Sequence, residues 1–207
     1  MKKDACELVF IIDKSGSMSG LESDTIGGFN ANIEAHKKLE GDVHVTTVLF
    51  NDKYKLLHDR IDLKGICPMT TNQYQAGGMT ALLDAVGETI NKIRNVQKQT
   101  SEEFRSDKVI FVIITDGQEN SSHEYKYKDI KKLIEHQQQI YGWKFIFLGA
   151  NIDAFVEAGK LGIPLENASG FVADHAGVGK AWRLSKCSTL GVRQGKKIKI
   201  ANDSVMK

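Results

Sequence analysis

Carboxylate and hydroxyl side chains follow an apolar run near the start of the chain. Residues 8–12 are uniformly apolar, and Asp13, Ser15 and Ser17 come directly after them at alternate positions. A short apolar run is typical of a buried strand, so its C-terminal end would deliver oxygen ligands into one turn. Carboxylate and hydroxyl oxygens suit a hard cation such as Mg²⁺ rather than zinc. Open α/β sheets also bind their ligands at this edge.

Two distant segments are expected to add oxygen ligands to the same place. Thr80 follows a two-glycine loop and heads a predicted helix, while Asp116 ends the most apolar segment, residues 109–114. If the two strands are neighbours, Asp13 and Asp116 lie side by side, and each carboxylate raises the pKa of the other. A divalent cation between them would remove that cost. The sequence therefore predicts a Mg²⁺ (or Mn²⁺) site formed by Asp13, Ser15, Ser17, Thr80 and Asp116.

Strand-like and helix-like segments alternate along the chain. This pattern predicts an α/β fold: a doubly wound, Rossmann-like, mostly parallel central sheet with helices on both faces. The turn at residues 51–52 joins two strands as a hairpin, which makes residues 54–61 an antiparallel edge strand. The topological switch point is expected between the first strand and residues 109–114. Strands are predicted at residues 8–12, 43–50, 54–61, 109–114, 143–148 and 170–172, and helices at residues 21–39, 82–93, 127–140, 154–161 and 176–190.

Composition bounds the class of protein. The 207 residues are 41% hydrophobic and 26% charged, as in an ordinary globular protein, and the net charge of +2 favours no class of partner. Cys6, Cys67 and Cys187 are far apart, so we expect reduced thiols. The sequence has neither a signal-peptide pattern nor an apolar run that would span a membrane. We therefore expect a cytoplasmic protein with no membrane partner.

The end of the chain carries a local excess of positive charge. We expect one core domain over residues 1–175, followed by a C-terminal helix and basic tail over residues 176–207. A solvated tail is the favoured interpretation, and nucleic acid is not expected as a partner. Nucleic-acid binding stays open as a further hypothesis. The charged residues of the tail are Arg193, Lys196, Lys197, Lys199, Asp203 and Lys207.

Three short motifs together resemble a known family. The resemblance is to the von Willebrand factor type A (vWA) domain and its metal-ion-dependent adhesion site (MIDAS), in the form found in bacterial or phage intracellular proteins. It spans roughly residues 5 to 175, with the motifs in the family's order. The motifs are Asp13-x-Ser15-Gly16-Ser17-Met18, Gly78-Met79-Thr80 and Thr115-Asp116-Gly117.

The resemblance assigns a role to each site residue. It implies that Ser15 and Ser17 bind the cation directly, and that Thr80 does so in the open, ligand-bound form. It implies that Asp13 and Asp116 act largely through bound water. Hydroxyl ligands leave the charge of the cation only partly neutralised, so an Asp or Glu of a partner protein can occupy a water position. We therefore expect a non-catalytic, divalent-metal-dependent protein-binding module.

A metal-dependent hydrolase is the alternative that the residues leave open. In that case the cation would activate a water molecule near Asp116. A general base would have to lie within reach of that water, and His123 is the nearest histidine along the sequence. The sequence does not decide the oligomeric state or identify the partner.

Overall fold

The computed structural model describes residues 2–150, 153–198 and 200, with side chains from residue 5 onward. One six-stranded sheet has the order β3-β2-β1-β4-β5-β6, in which β3 is antiparallel and the other pairings are parallel. The predicted fold class, including the antiparallel edge strand, is confirmed. The strands are β1 (Lys2–Asp13), β2 (Val43–Phe50), β3 (Tyr54–Asp62), β4 (Ser106–Thr115), β5 (Lys144–Ala150) and β6 (Ala168–Phe171). The helices are α1 (Glu22–Lys37), α2 (Leu82–Gln99), α3 (Tyr127–Tyr141), α4 (Ala154–Leu161) and α5 (His175–Arg193).

The central strand β1 pairs with β2 on one side and with β4 on the other. Its last residue, Asp13, is level with Phe50 of β2, and Ile12 is level with Ile114 of β4. The strand order therefore extends from β1 through β2 on one side and through β4 on the other. The topological switch point lies between β1 and β4, as the sequence predicted. Asp13 and Asp116 consequently emerge at the same sheet edge from adjacent strands.

The sheet separates two apolar cores. Phe10 on one face packs against Phe29 of α1 and Trp182 of α5, while Phe111 on the other face stacks on Trp143 and Phe145. Because β1 and β4 are covered on both faces, both faces of each strand are apolar. This explains why these segments are continuous hydrophobic runs in the sequence.

Strand β1 is longer than predicted because a buried charge interrupts its apolar pattern. Glu7 is fully buried, and its Oε1 accepts hydrogen bonds from Arg60 Nε at 3.0 Å and Nη2 at 2.5 Å. The ion pair with Arg60 thus offsets the cost of burying the Glu7 charge, although hydrophobicity alone would place Glu7 outside a strand. The glycines within α5 likewise do not end the helix. Gly177 is needed for close packing, since a Cβ there would lie 1.9 Å from the Val172 carbonyl oxygen.

Helix α5 packs into the same core as the sheet. Val178 and Trp182 are buried there, and Arg193 at the end of the helix is 9% exposed. Arg193 is therefore not part of a solvated basic tail. Lys199 and residues 201–207 of that predicted tail lie outside the described residues, and the domain boundary after residue 175 stays a prediction. Among the helices of the described ranges, none has the length and apolarity that a membrane span requires.

Candidate metal centre

The carboxylate of Asp13 organises the turn at the end of β1. Asp13 is fully buried; its Oδ1 accepts a hydrogen bond from the Ser15 backbone N–H at 2.7 Å, and its Oδ2 accepts one from the Thr115 hydroxyl at 2.5 Å. The Tyr74 hydroxyl donates to the Asp13 carbonyl oxygen at 2.5 Å. Both carboxylate oxygens therefore have protein donors, which suits a residue that shapes the site from behind.

A chain of hydroxyl groups connects this turn to β4. Ser17 Oγ donates to Asp116 Oδ1 at 2.6 Å, and Ser15 Oγ lies 3.1 Å from Ser17 Oγ. Because the Ser17 proton is used on Asp116, Ser15 is the donor in the second bond. The lone pairs of Ser15 Oγ are therefore left for another ligand. Ser15 is buried, whereas Ser17 is exposed at the surface.

The second carboxylate oxygen of Asp116 has no hydrogen-bond donor among the described residues. Asp116 is 3% exposed, and its Oδ2 makes no hydrogen bond to any of the described residues. A buried carboxylate oxygen without a donor is costly, and native proteins normally satisfy such an atom with a partner, water or an ion. This unpartnered oxygen is the clearest local indication that a ligand belongs here.

Thr80 reaches the same place because Gly117 has no side chain. A Cβ built on Gly117 would lie 2.8 Å from Thr80 Oγ1 and 3.4 Å from Ser17 Oγ. The glycine thus leaves room for two hydroxyl groups to approach the end of β4. Its backbone does not adopt a positive φ, so close approach rather than turn geometry explains the glycine here.

Burial makes the two carboxylates unfavourable when they are negatively charged and unpaired. Desolvation raises the pKa of Asp13 to about 6, against the opposing effect of its hydrogen bonds, and the charge of Asp116 adds to the rise. Desolvation likewise raises the pKa of Asp116. A cation beside them would stabilise the ionised forms.

Backbone hydrogen bonds hold the loop before Thr80 against the turn after β1. Gly16 N–H donates to the Gly78 carbonyl at 3.0 Å, and Gly77 N–H donates to the Lys14 carbonyl at 2.8 Å. The Asn51 side chain, just after β2, donates to the Gly77 carbonyl at 2.6 Å. The predicted two-glycine loop is therefore fastened at both ends of its glycine pair.

Thr80 is not the N-cap of α2, contrary to the expectation that it heads the helix. The helix begins at Leu82, and its free N–H groups are capped from the loop after β4: Leu83 N–H donates to Glu119 Oε2 at 2.9 Å.

Asn120 forms two hydrogen bonds with the Thr80 backbone. Its Oδ1 accepts from Thr80 N–H at 2.9 Å, and its N–H donates to the Thr80 carbonyl at 3.0 Å.

Sequence reasoning missed these supporting residues. It treated Thr115 as part of a motif without a role and residue 51 as a turn signal, and it assigned no structural role to Glu119 and Asn120. Polar residues directly after buried strands were the available signal. Their partners lie 26 to 102 residues away along the chain, so no local pattern could pair them.

Two nearby residues of the sequence interpretation lie at the margin of the site. The His123 side chain is exposed, and its backbone N–H donates to Asp84 Oδ2 at 2.8 Å. Met79, directly before Thr80, is 54% exposed. Among the described residues, no hydrogen bonds connect the His123 side chain to Asp116.

The donor set fits a hard divalent cation. It consists of hydroxyl and carboxylate oxygens with an unpartnered buried oxygen among them, which is the oxygen-only chemistry that Mg²⁺ prefers. Within residues 2–150, 153–198 and 200, no three histidine, cysteine, aspartate or glutamate side chains converge on a possible metal position. The assignment of Asp13, Ser15, Ser17, Thr80 and Asp116 as the metal site stays a prediction.

Solved structures with the same architecture were found by comparison. A von Willebrand factor type A protein from Catenulispora acidiphila matches with a TM-score of 0.57 and 15% identity, over 89% of this chain and 42% of that one. Mussel byssus proximal thread matrix protein 1, with a zinc-occupied MIDAS motif, matches with a TM-score of 0.55 and 14% identity, over 87% of this chain and 46% of that one.

The chain has the fold of a vWA domain. A variant of the PilB minor pilin from Streptococcus sanguinis also matches, with a TM-score of 0.60 and 12% identity over 92% of this chain and 62% of that one. The chain thus spans less than two thirds of each of these vWA-like structures. No protein-family model and no curated sequence matches it. At such identities the similarity establishes the vWA fold and not a shared function.

Proposed function

We propose that this vWA domain binds a divalent cation at Asp13, Ser15, Ser17, Thr80 and Asp116 and uses it to capture an acidic side chain of a partner protein. The buried, unpartnered Oδ2 of Asp116 carries this proposal. It lies on the residue that also accepts a hydrogen bond from Ser17, so a cation there would have hydroxyl and carboxylate oxygens around it. Mg²⁺ (or Mn²⁺) fits this donor set best.

The two sides of the site differ in a way that supports ligand capture. Asp13, Ser15 and Asp116 are buried, whereas Ser17 is exposed and borders solvent. A cation held between them would have its protein ligands on the inner side and water on the outer side. A carboxylate from another protein can replace such a water, and the charge of the cation, only partly neutralised, favours that exchange. The exposed Met79 would give the partner an apolar contact beside the metal.

The proposed role is binding rather than catalysis. A hydrolase needs a general base within hydrogen-bond reach of the activated water. The backbone of His123 is anchored to Asp84, and its imidazole is exposed to solvent. The Ser15 N–H and the Thr115 hydroxyl donate to Asp13, and the Ser17 hydroxyl donates to Asp116. These hydrogen bonds support side chains of the proposed site. The cytoplasmic location and the bacterial or phage origin inferred from the sequence remain parts of this proposal.

Metal binding is tested by thermal and urea unfolding in Mg²⁺ and in EDTA. Mg²⁺ at a hundredfold excess over its dissociation constant should raise the free energy of unfolding by about 2.7 kcal/mol, because it binds only the folded state. Asp13→Ala and Ser17→Ala should lose that increase. Ser17→Ala is the cleaner variant, since Ser17 is exposed and its replacement leaves the core intact.

The matched control is Asp59→Ala, which removes an exposed carboxylate of β3 that is paired with Lys92 of α2. That variant should keep the full effect of Mg²⁺. Equal stability of the wild-type chain in Mg²⁺ and in EDTA would contradict the metal site.

Partner capture is then measured on immobilised wild-type and Ser17→Ala chains: a specific partner should be retained by the wild type in Mg²⁺ and released by EDTA. Turnover of ester or phosphoester substrates that is lost in Asp13→Ala and in His123→Ala would instead establish a hydrolase.

A further inference from the structure

A groove of about 740 Å³ lies between α5 and the segment that follows it. Its basic lining residues come from both sides: Lys180 and Arg183 from the helix, and Lys196 and Lys197 from the segment. The other lining residues are uncharged, so no carboxylate of the described residues lines this groove. The candidate metal centre is elsewhere, because its residues lie at the ends of β1 and β4 and in the loop before α2. The groove is therefore a separate surface with one sign of charge.

The chain turns back at the end of α5 because of Gly195. This residue has a φ of +78°, in the left-handed region that glycine adopts without strain. Its N–H donates to the Val192 carbonyl at 2.9 Å, and the next N–H, that of Lys196, donates to the Gly191 carbonyl at 2.8 Å. These two hydrogen bonds form a Schellman motif, which satisfies carbonyls at the end of a helix. The turn thus places Lys196 against the end of α5.

Buried side chains then fix the segment after the turn. Ile198 is 9% exposed and Ile200 is 2% exposed, and both pack in the core that contains α5. Ile200 N–H also donates to the Glu166 carbonyl at 3.1 Å. Lys196 and Lys197 are exposed between the turn and these anchors. The sequence interpretation favoured a solvated tail, whereas these two lysines are held beside α5.

The positive charges of this surface have no carboxylate partners. Residues 175–197 contain six Lys or Arg residues and no Asp or Glu, although the net charge of the whole chain is only +2. On other helices a lysine pairs with a glutamate, as Lys37 does with Glu34 at 2.9 Å and Lys160 does with Glu157 at 3.1 Å. Among the described residues, none of the four cations of the groove forms an ion pair.

The convergence of like charges favours a polyanionic ligand. Lys180 and Arg183 lie three residues apart on α5, a spacing at which like charges repel each other and weaken a helix. The turn adds the charges of Lys196 and Lys197 to the same concave surface. A cleft lined by one sign of charge concentrates its field and attracts the opposite charge. A ligand with several negative charges would therefore be drawn to the groove and would relieve the repulsion.

We propose that this groove binds the phosphate backbone of a duplex nucleic acid without regard to base sequence. From Lys180 to Gly191 the helix rises about 17 Å, a length over which one strand of a duplex carries about five phosphates. Lysine and arginine are the side chains that most often contact such phosphates. The proposal uses no residue of the candidate metal centre and goes beyond the binding role proposed for that centre.

Anionic membranes and single strands fit this surface less well. None of the large apolar side chains that are exposed in the described residues lies within residues 175–198. The surface therefore has no such group to enter a bilayer or to stack on unpaired bases. A flat membrane would also contact only the rim of a concave groove, whereas a backbone strand can lie within it. The duplex backbone suits both the charge and the shape.

The test measures binding of a fluorescently labelled DNA duplex of about 20 base pairs to the full chain, in EDTA, over about 0.05 to 0.2 M KCl. About four phosphate contacts should give a slope of roughly −3.6 when log affinity is plotted against log salt concentration. Duplexes of different sequence should bind with the same affinity. In Lys196→Gln/Lys197→Gln, the slope should be less steep by about two and the affinity at about 0.1 M KCl should fall tenfold or more.

The matched control is Lys128→Gln/Lys132→Gln, which removes two exposed charges from α3 on the opposite face of the sheet. It should keep the wild-type affinity and slope, as should Lys196→Arg/Lys197→Arg, in which both charges remain. An equal loss in the α3 variant would overturn the proposal, as would the absence of duplex binding at the lowest salt concentration. Phosphatidylserine vesicles or poly-glutamate that displace the duplex at an equal concentration of negative charge would also overturn it, because the groove would then accept any polyanion.

Because binding is measured in EDTA, its outcome is independent of the metal site. Duplex binding that depends on Lys196 and Lys197, in a chain that Mg²⁺ does not stabilise, would support this inference and contradict the proposed metal-dependent function. Stabilisation by Mg²⁺ of a chain that binds no duplex would do the reverse.

Discussion

Two aspartates of the candidate metal centre have different environments. Asp13 has hydrogen-bond donors on both carboxylate oxygens, whereas Asp116 has one on Oδ1 and none on the buried Oδ2. Asp13 therefore fixes the turn that presents Ser15 and Ser17, whereas Asp116 has a buried carboxylate oxygen to which no described residue donates. Hydrogen-bond occupancy, rather than residue type, distinguishes these roles.

Gly117→Ala should weaken Mg²⁺ binding by about tenfold, equivalent to ~1.4 kcal/mol, with a smaller effect on stability in EDTA. The added methyl would lie 2.8 Å from Thr80 Oγ1 and displace that hydroxyl from the site. Calorimetric titration with Mg²⁺ measures the affinity. Gly159→Ala is the control, since its methyl enters open space in α4. Equal Mg²⁺ affinity in Gly117→Ala and wild type would show that Thr80 does not contribute to binding.

At the scale of elements, the loop after β4 fastens the loop that carries Thr80. Glu119 caps the N-terminus of α2, and Asn120 binds both the N–H and the carbonyl of Thr80. Asp84 in the first turn of α2 accepts N–H groups from the far end of the same loop, including His123 at 2.8 Å. The two loops are therefore one hydrogen-bonded unit, which fixes Thr80 before any cation binds.

Asn120→Ala should lower Mg²⁺ affinity by about fivefold, because loss of one neutral hydrogen bond costs about 1 kcal/mol and frees the Thr80 backbone. Asn120→Asp keeps an oxygen that can accept from Thr80 N–H and should restore most of the affinity. The measurement is Mg²⁺ titration followed by the shift in melting temperature. If both variants lose stability equally in EDTA and in Mg²⁺, then Asn120 supports the fold and not the site.

The end of α5 caps the end of α1. Arg193 Nη1 donates to the His36 carbonyl at 2.9 Å, and Nη2 donates to the Glu40 carbonyl at 2.9 Å. Arg193→Met keeps much of the aliphatic bulk but leaves these carbonyls unpaired, so unfolding free energy should fall by about 2–4 kcal/mol. Arg94→Met, at an exposed position of α2, is the control and should change it by less than about 0.5 kcal/mol. Urea denaturation measures both; equal small losses would contradict a capping role for Arg193.

At the scale of the whole molecule, a buried polar seam joins α1 to α5 across an otherwise apolar core. Asn32 bonds Ser185, and the imidazole of His36 lies between Thr189, 2.9 Å from Nε2, and Arg193, 3.0 Å from Nδ1. Arg193 can only donate, so Nδ1 is the acceptor and the ring is neutral with its proton on Nε2. Burial, with the nearby Arg193 charge, lowers the pKa of His36 to about 3.

The seam makes stability depend on pH. Between about pH 6.5 and 3 the unfolded chain protonates His36 and the folded chain does not, so stability falls as pH falls, by up to about 1.4 kcal/mol per unit. His36→Gln should remove this contribution. Urea denaturation of both chains at several pH values in EDTA measures it. Asp13, whose pKa is raised, acts in the opposite sense in both chains, so the difference between them isolates His36. Parallel pH profiles would contradict a lowered pKa for His36, because they would show that folding does not change its proton binding.

Much of the fold could be predicted from local patterns. Continuous apolar runs marked β4 and the centre of β1, helical periodicity marked α1 and α2, and the turn at residues 51–52 marked the antiparallel edge strand. Prediction was poorer where a long-range partner compensated an unfavourable local choice. Glu7 within β1 and Gly177 within α5 are such positions, because Arg60 and the Val172 backbone, respectively, explain them.

The sequence by itself determined which chemistry was available: side-chain oxygens that could bind a cation, each placed at the end of a strand or loop, at Asp13, Ser15, Ser17, Thr80 and Asp116. Those positions follow from side-chain type and hydrophobic period, which are local properties. Only the tertiary structure decided which of these oxygens accept hydrogen bonds from the protein and which have no donor among the described residues. Thr115, Asn120 and Gly117 control that outcome through contacts between segments far apart in the chain.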